Sequence, residues 1–269
     1  MALLFREARN APTYNDLMSM NAEEALKILT DRFRPYVGML FFAPQKQITP
    51  TTIRFNGTVA FVDTGLSKLI ITNDHVYRRF AELKREVPDL RMFVTGSSPN
   101  TLIELGENYL IDRGGTSADL AVFSLPNPLK LEDIGKAYFP ASTWPSQRPG
   151  AGTPTVIIGF QGAHRVPVGS NLQINLTVLC DKITSSSQRH LILADEDQAR
   201  KTVKINRALD ELGPLGGMSG SPAFTVGPDD DARLVGFLYE AGGGADAMVF
   251  AIHADVITGE GRIDYGLIP

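Results

Sequence analysis

The sequence predicts an all-β fold in two halves, preceded by a helix. Three observations carry this expectation. Between residues 36 and 252 the chain breaks into short runs rich in Val, Ile, Thr and Phe, bounded by Gly, Pro, Asn and Asp. Helical periodicity does not alternate with these runs, which argues for barrels or sandwiches rather than a parallel sheet. A Pro-, Gly- and Ser-rich stretch, "PASTWPSQRPGAGTP" (140–154), leaves six of the runs before it and seven after it.

The first element is helical. In "SMNAEEALKILTDRF" (19–33) Asn21 can cap and Glu24 follows three residues later, the pattern of a capping box. Ala22, Leu26, Leu29 and Phe33 then recur at helical spacing. Residues 1–35 thus form an N-terminal helical extension. Strands are expected within "YVGMLFFA" (36–43), "TTIRFNGTVAFVD" (51–63), "SKLIITNDHV" (67–76), "LRMFVTG" (90–96), "NYLID" (108–112) and "DLAVFSL" (119–125). A second helix is expected over "VYRRFAELKREV" (76–87). The second half offers "TPTVIIGF" (153–160), "NLQINLTVL" (171–179), "HLILA" (190–194), "TVKIN" (202–206), "SPAFTV" (221–226), "RLVGFLYEA" (233–241) and "AMVFAI" (247–252), with a short helix starting near Ala254.

Composition narrows the classes of function. The 269 residues are 43% hydrophobic and 21% charged, ample for a buried core, and the net charge of −4 gives no electrostatic reason to expect nucleic acid or an anionic membrane as partner. No apolar run approaches the ~20 residues that span a bilayer. The apolar run Ala2–Phe5 is too short for the core of a signal peptide. Cys180 is the single cysteine, so no intrachain disulfide and no cysteine metal site form; a cytoplasmic protein without cofactor or metal is expected.

The stretch "GGMSGSPAF" (216–224) reads either as a plain loop or as the setting of a nucleophile, Ser219. A hydroxyl needs a base, and the base needs a third group to hold it. Of the four histidines, His75 stands out at the end of the apolar run "KLIITNDHV", a rigid mount; His164 lies in a Gly-bearing loop, His190 follows a Ser run and His253 lies on the last strand. Asp119 heads an apolar strand, where a carboxylate is costly unless partnered. Asp112 and Asp74 are its rivals; Asp74 is expected to point away from His75 on an extended segment. Glycine lets a loop turn its amides inward, so Gly217 and Ser219 are candidate N–H donors to a developing oxyanion, with Gly216 and Gly220 leaving room for substrate. The glycines are not a nucleotide loop, since no "GK[ST]" follows, and "GPDDDAR" (227–233) lacks the calcium-loop pattern and reads as a hairpin turn.

Taken in order, "TNDHV" (72–76), "SADLAVFSL" (117–125) and "GMSGSP" (217–222) resemble the three signature segments of chymotrypsin-fold serine proteases, most nearly bacterial trypsin-like members such as the high-temperature-requirement proteases. The resemblance spans about residues 36–258. It implies two six-stranded antiparallel β-barrels, 36–145 carrying His75 and Asp119 and 146–269 carrying Ser219, with a serine endopeptidase site in the cleft between them. His75 would be the base, Asp119 its orienter, Ser219 the nucleophile, and Gly217 and Ser219 the oxyanion donors. The substrate would be a protein or peptide. Met218 stands where digestive members have an aspartate, which argues against activation by N-terminal trimming, and Ser221 replaces a second glycine. By the same resemblance Gly213, Tyr239, Glu240, Ala241 and Met248 would form the specificity pocket. Two other readings stay open: a protease-fold binding module without activity, and a latent protease that an activating protein switches on through residues 1–35. That extension otherwise packs on a barrel.

Overall fold

The computed structural model describes residues 16, 19–96, 101–125, 131–141, 143–168, 171–194, 201–205, 215–226, 231–241 and 248–268. Helix α1 (Ala22–Phe33) starts as its sequence predicts: the Asn21 side chain accepts from the Glu24 N–H at 2.9 Å and donates to the Glu24 carboxylate. Its Ala25, Leu26, Leu29 and Phe33 are buried, whereas the Ala22 side chain lies outside the described residues. A 3-10 turn then leads into the strands.

The first sheet holds β1 (Val37–Pro44), β2 (Asn56–Asp63), β3 (Lys68–Thr72), β4 (Leu90–Thr95), β5 (Leu102–Glu104), β6 (Leu110–Arg113), β7 (Ala121–Phe123) and β8 (Phe139–Pro140), in the order β5-β4-β1-β2-β3-β7-β6. All pairs are antiparallel except β8, which lies parallel to β2. The second sheet holds β9 (Pro154–Val168), β10 (Asn171–Lys182), β11 (Ser185–Ser186), β12 (His190–Leu193), β13 (Lys201–Ile205), β14 (Pro222–Val226), β15 (Ala232–Ala241) and β16 (Val249–His253). Its order is β11-β12-β16-β15-β14-β9-β10-β13, antiparallel throughout. Two curled antiparallel sheets behind an N-terminal helix make the chymotrypsin-like double-barrel arrangement. Among the described residues each sheet counts eight strands rather than six: the short pieces β5 and β8 are added in the first, and the short piece β11 joins the seven runs expected of the second.

Two more helices lie between strands of the first sheet, α2 (Asp74–Glu86) and α3 (Gly115–Ala118). Helix α2 begins two residues earlier than its periodicity predicts. Strand β3 stops at Thr72, and Asp74 opens the helix with an acid in its first turn, where the helix dipole favours a negative charge. His75 is therefore in the first turn of a helix, not at the end of a strand. The segment expected as a strand at 108–112 opens with a 3-10 turn at Glu107–Tyr109.

One apolar cluster spans both sheets and α1, joining Leu26, Leu29 and Phe33 to Val62 and Ile71 of the first sheet and Ile158 and Phe224 of the second. The Phe33 and Phe224 rings stack at 4.4 Å. The apolar face of α1 is thus consumed in packing. The connecting segment is tied down as well: Arg148 holds Asp255 at 2.6 Å and the Trp144 indole donates to the Ile257 carbonyl at 2.8 Å. The short C-terminal helix expected near Ala254 is a 3-10 turn, Ala254–Val256. Beyond it the chain returns to the first sheet, where the Ile263 N–H donates to the Asp112 carboxylate and the Tyr265 hydroxyl to the Arg113 carbonyl.

Candidate active site

Ser219 sits in a turn between Leu215 and β14, shaped by two glycines. Gly217 has φ 95° and Gly220 φ 87°, in the left-handed region that favours glycine. A Cβ on Gly217 would lie 2.4 Å from the Gly162 nitrogen, and one on Gly220 would lie 2.3 Å from the Thr58 carbonyl oxygen. Both positions are closed to any other residue twice over, by conformation and by space. The turn is held from three sides. The Met218 N–H donates to Leu215 O, the Gly220 N–H to Leu238 O on β15, and the Thr58 N–H of β2 to Ser219 O at 2.9 Å. The Met218 side chain is fully buried in the second-sheet core, which accounts for an apolar residue there. Among the described residues the N–H groups of Gly217 and Ser219 have no hydrogen-bond acceptor, and the Gly216 carbonyl is turned to accept from Gly162 N–H at 2.6 Å.

His75 and Asp119 come from the first sheet's side of the site. The His75 Nδ1–H donates to Asp119 Oδ2 at 2.7 Å, and the Ser219 hydroxyl donates to His75 Nε2 at 3.0 Å. The carboxylate fixes the tautomer: with the proton on Nδ1, Nε2 is the acceptor that faces Ser219. The His75 side chain is 34% exposed and that of Asp119 17%, so the carboxylate is shielded while the imidazole still meets solvent. Asp119 is clamped on its backbone too. Its other oxygen accepts from the His75 N–H at 2.9 Å, and its carbonyl accepts from Asp74 N–H and the Asn73 amide.

Three supporting residues escaped the sequence reading. Thr58 ties the sheets together at the site: its hydroxyl donates to Gly217 O at 3.1 Å and accepts from the Phe160 N–H at 2.9 Å. The Thr72 hydroxyl donates in turn to Thr58 O. Asp74, expected to point away from His75, has a fully buried carboxylate gripped by Arg113 at 2.6 Å and Arg78 at 3.1 Å. It anchors the helix turn that carries His75, and its hydrogen bond raises the pKa of Arg113. Most of their partners lie far along the chain; Arg78, four residues after Asp74 on the same helix, is the exception. The rival Asp112 serves a different joint, accepting from Arg113 and Ile263 N–H groups.

Of the other histidines, His253 is buried and its Nε2–H donates to Ser187 O, while the His164 side chain lies outside the described residues. His190 lines a pocket of about 180 Å³ that opens beside His75. Its other walls include Arg78, Ser117, Arg189 and Tyr239. The Tyr239 hydroxyl and His190 Nδ1 are hydrogen-bonded at 2.9 Å, and the rings stack at 5.4 Å. Burial, then the charge of Arg189, pushes the His190 pKa down, and burial raises that of Tyr239. Of the residues expected to set specificity, Tyr239 thus faces the pocket, Glu240 is exposed, Ala241 is half-buried and Met248 is exposed; Gly213 lies outside the described residues. Beyond Leu238 the edge of β15 next to Ser219 has no strand partner among the described residues.

Among the described residues, no group of three His, Cys, Asp or Glu could hold a metal ion, and no helix is long and apolar enough to cross a membrane. No family model and no curated protein matches the chain. Solved structures do. The thermostable serine protease AL20 from an extremophilic microorganism is 13% identical, with 81% of this chain and 91% of that one covered at a TM-score of 0.47. The protease Anisep from Arthrobacter nicotinovorans is likewise 13% identical, with 81% and 90% covered at a TM-score of 0.47. Neither description names a high-temperature-requirement protease.

Proposed function

We propose that the protein is a serine endopeptidase that works through an acyl-enzyme. The observation that carries this reading is the continuous hydrogen-bond chain from Ser219 Oγ, on the turn before β14, through His75 of α2 to Asp119 at the end of α3. In the proposed reaction the Ser219 oxygen attacks the scissile carbonyl while His75 Nε2 takes its proton. Asp119 keeps the imidazole in the receptive tautomer and stabilises its charged form. The oxyanion that develops is met by the N–H groups of Gly217 and Ser219, which have no other acceptor among the described residues. His75 then protonates the leaving amine. In the second half-reaction His75 takes a proton from water as the water oxygen attacks the acyl carbonyl, then gives it to Ser219 Oγ as the ester bond breaks, which releases the acid and restores the serine.

An extended peptide fits the free edge of β15 at Tyr239–Ala241, where main-chain pairing brings its carbonyl to Ser219. Two features support a site complete without an activating partner. The Gly216 carbonyl is taken up by the Gly162 N–H, and α1 already buries its apolar face against the barrels. A reducing, cytoplasmic setting accords with the lone Cys180, which is buried. Cleavage of a diverse peptide library tests the reading, with Ser219→Ala as control. The wild type is expected to cut a defined subset of peptides and the variant none. Equal cleavage by both, or none by either, overturns it.

A further inference from the structure

The pocket beside His75 has a chemistry of its own that the proposed peptide hydrolysis does not use. At about 180 Å³ it has room for one side chain. Its apolar surface comes from Ala118, Ile252 and the Tyr239 ring, which suit methylene groups. Its charged walls are two arginines, Arg78 and Arg189, and Asp119, whose carboxylate is paired with His75. Arg78 is spoken for on one side, since its Nε lies 3.1 Å from the buried Asp74 carboxylate.

Arg189 differs from the other arginines around the site. One terminal nitrogen donates to Ser117 O at 3.1 Å and holds the guanidinium to the wall. Its Nε is buried without a hydrogen-bond partner, and among the described residues no carboxylate pairs with it. A half-buried guanidinium with unmet donors is costly, and its natural complement is a planar carboxylate. The nearby acids do not fill that role. Asp119 is committed to His75 and Asp74 to Arg113 and Arg78, while Glu240 is exposed on β15, where solvent and salt screen it. His190 and Tyr239 satisfy each other.

We propose that this pocket takes the side chain of a Glu or Asp close to the scissile bond, with Arg189 as its charge partner and Arg78 in support. The protein is then a peptidase selective for acidic residues at one position beside the cut. This rests on the endopeptidase reading for its cleavage consequence, but not for binding.

The test uses the full chain and pairs of peptides that differ only by Glu or Gln, moved through each position around a cleaved bond. The ratio of kcat/KM, Glu over Gln, is expected to reach about tenfold at one position and to shrink at high salt. Arg189→Gln brings the ratio to near one and Arg189→Lys restores part of it. Because each ratio is taken within one variant, loss of folded protein cancels. A second arm measures binding of the same labelled peptides to Ser219→Ala by fluorescence anisotropy, with and without Arg189→Gln. If nothing is cleaved but Ser219→Ala still prefers Glu through Arg189, the hydrolase reading fails and the pocket stands. If peptides are cleaved with a ratio near one at every position, or with the same preference in Arg189→Gln, the pocket proposal is overturned and the hydrolase reading survives. Absence of any Glu preference in binding overturns it too.

Discussion

Asp119 holds a left-handed backbone, φ 48° and ψ 38°, at the end of α3. Such a conformation costs a non-glycine residue about 1–3 kcal/mol and persists only where the surroundings over-determine it. Here four hydrogen bonds do so, from His75, Asp74 and Asn73. Asparagine also tolerates this region, so Asp119→Asn keeps the fold while presenting an amide to His75 Nδ1 and favouring the wrong tautomer. We expect kcat for a library-derived peptide to fall about 10⁴-fold, with a thermal midpoint within a few degrees of wild type. A fall of less than tenfold contradicts the role assigned to Asp119. Ser219, His75 and Asp119, which the structure joins by hydrogen bonds, could be singled out because each sits in a local pattern: a glycine-rich turn, or a polar residue at the edge of an apolar run. Thr58 and Asp74 could not. Their contacts to Gly217, Phe160 and Arg113 span 159, 102 and 39 residues, and no local pattern encodes such a contact; only Arg78, four residues from Asp74, is local.

Helix α1 shows how an element decides between two sequence readings. Its cap and periodicity predicted a helix but not its partner. Phe33 is fully buried against Phe224, so Phe33→Ala is expected to cost about 3–5 kcal/mol in urea unfolding. A loss below about 1 kcal/mol would instead describe a detachable arm. The turn that follows α1 poses a second case. Lys136 is buried and donates to the Arg34 carbonyl, and burial pushes its pKa from its ordinary 10.5 down to about 8. The unfolded chain therefore binds the proton more tightly between pH 8 and 10.5. The charged lysine opposes folding below about pH 8, and that opposition fades as pH rises toward 10.5. Lys136→Met removes a cost of about 3 kcal/mol, less the hydrogen bond to Arg34. Its advantage over wild type in urea unfolding should thus shrink between pH 8 and 10. An advantage independent of pH would refute this account. The early start of α2 escaped the sequence because β3 and the helix share one apolar run, and only the buried ion pairs of Asp74 say where the strand stops.

The two sheets are held together where the chemistry is proposed to occur. The Ser219 turn belongs to the second sheet, yet its carbonyls at Gly217 and Ser219 accept from Thr58 of the first. Ile263 and Tyr265 cross back to β6, and α1 packs against both sheets, so both brace the joint between the sheets. Short strand-like runs and a Pro/Gly/Ser-rich divider made the two-sheet architecture legible. The bracing was hidden because it depends on which surfaces meet after folding. This construction predicts a pre-formed Ser219 that reacts without a partner. Intact mass spectrometry after exposure to a fluorophosphonate tests that most directly. One phosphonyl adduct on wild-type protein, mapped to Ser219 and absent from Ser219→Ala, is the expected result. A folded wild-type protein that takes no adduct, or the same adduct on both proteins, contradicts it.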